Sequence, residues 1–69
     1  MNTFLERLIT EKEELASKLA KLNSFIFNEK LLEIDQRQAV LLKTQADVMQ
    51  VYLNILETRI SLLEPVTQE

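Results

Sequence analysis

Arg59, Tyr52 and Gln45 stand seven residues apart in the second half of the chain, so on a helix they share one face at two-turn intervals. Their spacing places them on the seam of Leu42, Met49, Leu56 and Leu63, where leucine would pack better. Lys12 interrupts an apolar seam in the first half in the same way. If such a seam holds a ligand, the chemistry is that of anion binding. Arg59 offers a planar fork to a phosphate, Lys12 or Arg7 supplies a second cation, and the ring of Tyr52 or Phe4 stacks on a base. The same residues have a structural reading: Lys12 and Arg59 snorkel to water or pair with Glu11, Glu57 or a neighbouring chain's carboxylate, while Gln45 fixes register. Spacing alone favours the structural reading and leaves the other open.

Other chemistries find no residues to run on. There is no cysteine and no histidine, which removes disulfides, thiolate nucleophiles, the usual zinc ligands and the usual general base. No glycine-rich phosphate loop or Asp/Asn calcium loop is present. Neither an enzyme nor a cofactor is therefore expected. Eight basic side chains against eleven acidic ones give a net charge of −3, the wrong sign for gripping DNA or RNA over many phosphates. A small anion held by two or three local cations remains compatible with that charge. The charged N-terminal stretch is neither a signal peptide nor a membrane span, and the chain reads as a soluble, cytoplasmic protein.

The elements that must position these residues are two helices. Glycine is absent and the only proline is Pro65, so only turn chemistry interrupts a helix before Glu64. Leu5, Leu8, Leu15, Leu19, Leu22 and Ile26 step by threes and fours, predicting a first helix over about 3–27. Thr3 with Glu6 forms a candidate capping box, and Asn28 a candidate left-handed stop. Residues 28–34 form the connection, with a helical turn at Glu29 to Glu33. Asp35, with Gln38 three residues on, is the expected N-cap of a second helix over about 35–64, after which residues 65–69 form a fraying tail. Phe25 and Phe27 are expected to plug the end of the bundle. The short link makes the helices antiparallel neighbours in one all-α hairpin spanning 1–64.

The second helix carries more apolar surface than one neighbour can cover. Leu42, Met49, Leu56 and Leu63 form one stripe and Leu41, Val48, Ile55 and Leu62 another. Ala39, Ala46, Leu53 and Ile60 widen the apolar arc on one side, and Thr44, Val51 and Thr58 on the other. Only the strip of Lys43, Asp47, Gln50, Asn54, Glu57, Ser61 and Glu64 needs water. A hairpin of this size buries too little to stand comfortably alone, and monomers seldom expose such a face. The expectation is a homo-oligomeric helical bundle.

The pattern Arg7, Glu11, Lys12, Glu14, Leu15, Lys18, Leu22, Phe25, Ile26, followed by Gln45, Met49, Tyr52, Leu56, Arg59, Ile60, resembles small phage-encoded helical-hairpin proteins. These include the crAss-phage-related hairpin family and, more distantly, the anti-CBASS cyclic-nucleotide sponges and the hairpin domain of Thoeris antagonists. The likeness implies a homo-oligomer, hexameric, that sequesters cyclic oligonucleotide or cyclic ADP-ribose-type immune signals between protomers without cleaving them. Arg59 matches the arginine in the second long helix of the sponges. For the lysine of their first helix, Lys12 and Arg7 are both within reach, and Phe4 is the nearest counterpart of their N-terminal aromatic. The chain departs from the larger sponges in lacking their N-terminal extension and glycine-containing C-terminal tail. The competing reading is a small helical interaction protein that binds and inhibits or scaffolds a host or phage protein.

Overall fold

The computed structural model describes residues 3–63, with the side chains of 29 and 30 left aside. Helix α1 spans Thr3–Ile26, a 3₁₀ turn spans Glu29–Glu33, and helix α2 spans Gln36–Leu63. No strand occurs among the described residues. Phe4 lies against Arg59 and Glu11 against Tyr52, so the start of α1 neighbours the end of α2 and the helices run antiparallel. The molecule is long and narrow, 48 × 23 × 16 Å. The tail and the stop at Glu64 and Pro65 lie outside the described residues.

At the end of α1 the Phe27 N–H still donates to the Asn23 carbonyl at 3.0 Å, while the Asn28 N–H donates to Phe25 only three residues back, at 3.1 Å. The Asn28 carbonyl then accepts from Leu31 at 3.2 Å, so the helix tightens directly into the 3₁₀ turn. No described non-glycine residue has positive φ, and the expected left-handed stop at Asn28 is corrected accordingly. A chain that leaves its helix by tightening keeps right-handed dihedrals throughout and needs no left-handed residue.

Asp35 caps α2. Its Oδ1 accepts the Arg37 backbone N–H at 2.8 Å and its carbonyl accepts the Ala39 N–H at 3.0 Å. The Arg37 guanidinium folds back on the same carboxylate, Nη2 to Oδ2 at 2.8 Å and Nε to Oδ1 at 3.2 Å. Arg37, not the expected Gln38, is thus the side chain that completes the cap. The hydrogen bonds from Arg37, those of the side chain foremost and that of the backbone second, hold the Asp35 carboxyl below the ordinary carboxylate range.

The core is a single seam. Leu8, Leu15 and Leu19 of α1 bury against Ala46, Leu53, Leu56 and Ile60 of α2, with Leu5, Ile9, Ala16, Leu22, Ile26 and Met49 packed around them. Leu56 is completely buried. The row Ala39, Ala46, Leu53, Ile60 therefore stands at the centre of the interface and not at its margin. Two alanines, Ala39 and Ala46, are the buried members of that row in the half of α2 nearer the turn. The expected plug by Phe27 is also corrected: its side chain is 88% exposed. Ile26 takes the seam position, and one residue further the side chain is rotated by about 100° toward solvent. Phe25 is half-buried, and Leu22 and Ile26 close that end.

Candidate functional site

The Arg59, Tyr52, Gln45 row lies beside the seam, not in it. All three side chains are exposed. Once Ala39, Ala46, Leu53 and Ile60 occupy the seam together with Met49 and Leu56, the row one position before it becomes a flank of the antiparallel pair. On α1 the matching flank carries Phe4 and Glu11, again seven residues apart. Because the helices run in opposite directions, a step of two turns forward along α1 meets a step of two turns back along α2. Phe4 thus faces Arg59 and Glu11 faces Tyr52.

Two cross-helix contacts define the flank. The Arg59 guanidinium carbon stands 6.0 Å from the centroid of the Phe4 ring, within cation–π range. The Tyr52 hydroxyl donates to Glu11 Oε2, which fixes the phenol ring across the groove. Glu11 is the member that spacing did not assign to Tyr52. Its signal lay in the register of the turn, which a one-dimensional pattern does not state. Gln45 donates to the Met49 sulfur 3.8 Å away on its own helix, so its contact is local and does not set the register between helices.

Of the five candidate residues, the structure gathers Arg59, Phe4 and Tyr52 on this flank. Lys12 remains in the seam of α1, half-buried, eight residues or about 12 Å along the helix from Phe4. Arg7 is exposed, in an open trough lined by Thr3, Glu6, Arg7, Thr10, Glu11 and Glu14. Three carboxylates surround that one cation, a setting that repels an anion.

Arg59 also borders a second open trough, on the face of α2 that points away from α1, lined by Val51, Asn54, Ile55, Thr58 and Arg59. Among the described residues Arg59 forms no ion pair, so its five N–H donors are not engaged by a carboxylate. A planar cation between an aromatic ring and an apolar trough can hold a phosphate at its edge and a flat ring system at its face. Among the described residues no cluster of His, Cys, Asp or Glu is placed to hold a metal ion, and no helix is long and apolar enough to cross a membrane.

Comparison with known proteins adds one positive finding. A family model described as Sequestin matches residues 2–62, nearly the whole chain. No curated protein and no solved structure matches.

Proposed function

The chain belongs to the Sequestin family, and on that premise we propose that it is a phage anti-defence sponge that binds cyclic nucleotide immune signals, cyclic oligonucleotides or cyclic ADP-ribose-type molecules, and holds them without cleaving them. The family's name speaks of sequestration, and the likeness to phage hairpin sponges supplies the class of ligand. The observation that carries the reading is Arg59, a guanidinium without an ion pair among the described residues, beside the Phe4 ring and two turns from Tyr52. Sequestration needs tight binding in a rigid frame and no acid, base or metal, and a stiff helical hairpin with a few placed cations supplies that. The working unit in this reading is a homo-oligomer, hexameric as the sponge likeness implies, in the host cytoplasm. Each hairpin offers open troughs, and a second copy beside one of them turns it into an enclosed site.

The test is a thermal-shift panel of cyclic dinucleotides, cyclic trinucleotides and cyclic ADP-ribose isomers, followed by heat denaturation and analysis of the released ligand. The expected result is stabilisation by one class with the ligand recovered intact. At a hundredfold excess over Kd the stabilisation amounts to about 2.7 kcal/mol. No shift across the panel overturns the reading, and recovery of cleaved ligand replaces it with an enzyme. The alternative, a protein-binding hairpin, is favoured by the exposed apolar face of α2, with Leu41, Val48 and Leu62 all more than 60% exposed. It predicts capture of a protein partner and indifference to nucleotides.

A further inference from the structure

The face of α2 opposite the core is a second, uninterrupted seam. Leu41, Thr44, Val48, Val51, Ile55, Thr58 and Leu62 step by three and four over almost the full helix, the spacing that one helix presents to another in a coiled coil. All of them are exposed in the hairpin. The two polar members are the telling ones. The Thr44 hydroxyl donates to its own helix at the Val40 carbonyl, 3.1 Å, and the Thr58 hydroxyl to the Asn54 carbonyl, 3.0 Å. Each hydroxyl is satisfied within α2, so burying this seam strands neither of them.

We propose that this seam is covered by the same seam of a second copy of the chain, so that two hairpins associate through their α2 helices. The inference gives the homo-oligomer proposed above its interface, and rests on that part of the reading alone. A second copy fits for three reasons. It carries a stripe of the same length and spacing. A self-complementary face is what a two-fold pair requires. The five large apolar side chains of the seam together present on the order of 500 Å² per copy before flanking atoms are counted, which approaches the roughly 800 Å² that each side of a stable interface buries.

The pairing also completes the site. Gln45, Tyr52 and Arg59 each follow a residue of the outer seam by four positions, Leu41, Val48 and Ile55, and so form one flank of it. The same row already flanks the inner seam, where Phe4 and Glu11 meet it. With a partner helix in place, in either direction, Arg59 and Tyr52 lie at the floor of a groove walled by α1 of their own hairpin and α2 of the partner. The trough of Val51, Asn54, Ile55, Thr58 and Arg59 becomes part of that interface.

The experiment needs no ligand, so its result stands apart from the nucleotide panel. Sedimentation and light scattering give the mass of the parent chain and of a Val48→Asp/Ile55→Asp double variant, with circular dichroism read alongside. The parent is expected as a dimer or larger at tens of micromolar, and the variant at the hairpin mass. Because a loss of assembly can itself lower helicity, a second measurement uses the absence of native cysteine. Val51→Cys is expected to give interchain products with a short bis-maleimide, and Lys43→Cys, on the polar strip, to give none. A monomeric parent overturns both the oligomer and this interface. An oligomeric parent whose mass survives the double aspartate substitution, or which crosslinks at Lys43→Cys and not at Val51→Cys, overturns the interface and leaves the oligomer standing.

Discussion

Ile55 and Leu56 are neighbours in sequence with opposite surroundings, and substituting each by alanine separates the two seams of α2. Leu56 is fully buried against α1, whereas Ile55 keeps 51% of its surface exposed in the hairpin. Leu56→Ala removes methyl groups from the centre of the core, and the expected cost is about 2–5 kcal/mol at every protein concentration. For Ile55 about half of the roughly 1.5–3 kcal/mol available from burial is still unrealised in the hairpin, or about 1 kcal/mol per copy. Two copies in a dimer make that about 2 kcal/mol, which weakens association roughly 30-fold. Urea denaturation followed by circular dichroism at a low and a high protein concentration reads both effects. The midpoint of Leu56→Ala should fall by a similar amount at each concentration. The midpoint of Ile55→Ala should fall mainly at the high concentration, where the parent is assembled. If Ile55→Ala costs nothing at any concentration, or as much as Leu56→Ala in dilute solution, the division of α2 into an inner and an outer seam is refuted.

Three further outcomes follow from particular contacts. Arg59→Ala should abolish the thermal shift by ligand while leaving mass and helicity unchanged, and Arg59→Lys should retain only part of it because the planar fork is lost; dissociation of the oligomer by Arg59→Ala would mark the arginine as structural. Tyr52→Phe removes the hydrogen bond to Glu11 between two side chains at the surface, so chemical denaturation should shift by less than about 1 kcal/mol, with the ring and its stacking surface retained; a larger loss would mean that the bond sets the register. The cap at Asp35 should make the first turn of α2 pH-sensitive. Its folded pKa lies below the ordinary aspartate value of 3.8, so the stabilisation is present above that value and is lost as pH falls through the lowered folded pKa. Amide exchange at Arg37 and Gln38 should rise below about pH 4 in the parent and show no such step in Asp35→Asn, which keeps an acceptor but no charge; the same step in Asp35→Asn would exclude the carboxylate as its origin.

The sequence by itself determined that the chain is all-α and built on two long helices, because threes-and-fours spacing, the absence of glycine and a single late proline leave the backbone few other ways to satisfy its hydrogen bonds. It also determined that α2 carries more apolar surface than α1 can cover, since the polar strip from Lys43 to Ser61 occupies less than half of the helix. Which stripe faces α1 was a matter for the tertiary structure. The stripes of Leu41, Val48, Ile55 and of Ala39, Ala46, Leu53 are both periodic, and the spacing that identifies one identifies the other. The rotation of α2 is set by the packing of both helices together, which buries the small side chains of Ala39 and Ala46 along with Leu53 and Ile60. That rotation moved Arg59, Tyr52 and Gln45 from the seam to its flank. The pairing of Phe4 with Arg59 and Glu11 with Tyr52 depended in turn on how many residues the 3₁₀ turn consumes, which sets the register between the helices. Spacing along one helix names the residues that share a face, but it takes the angle and offset between two helices to say what that face meets.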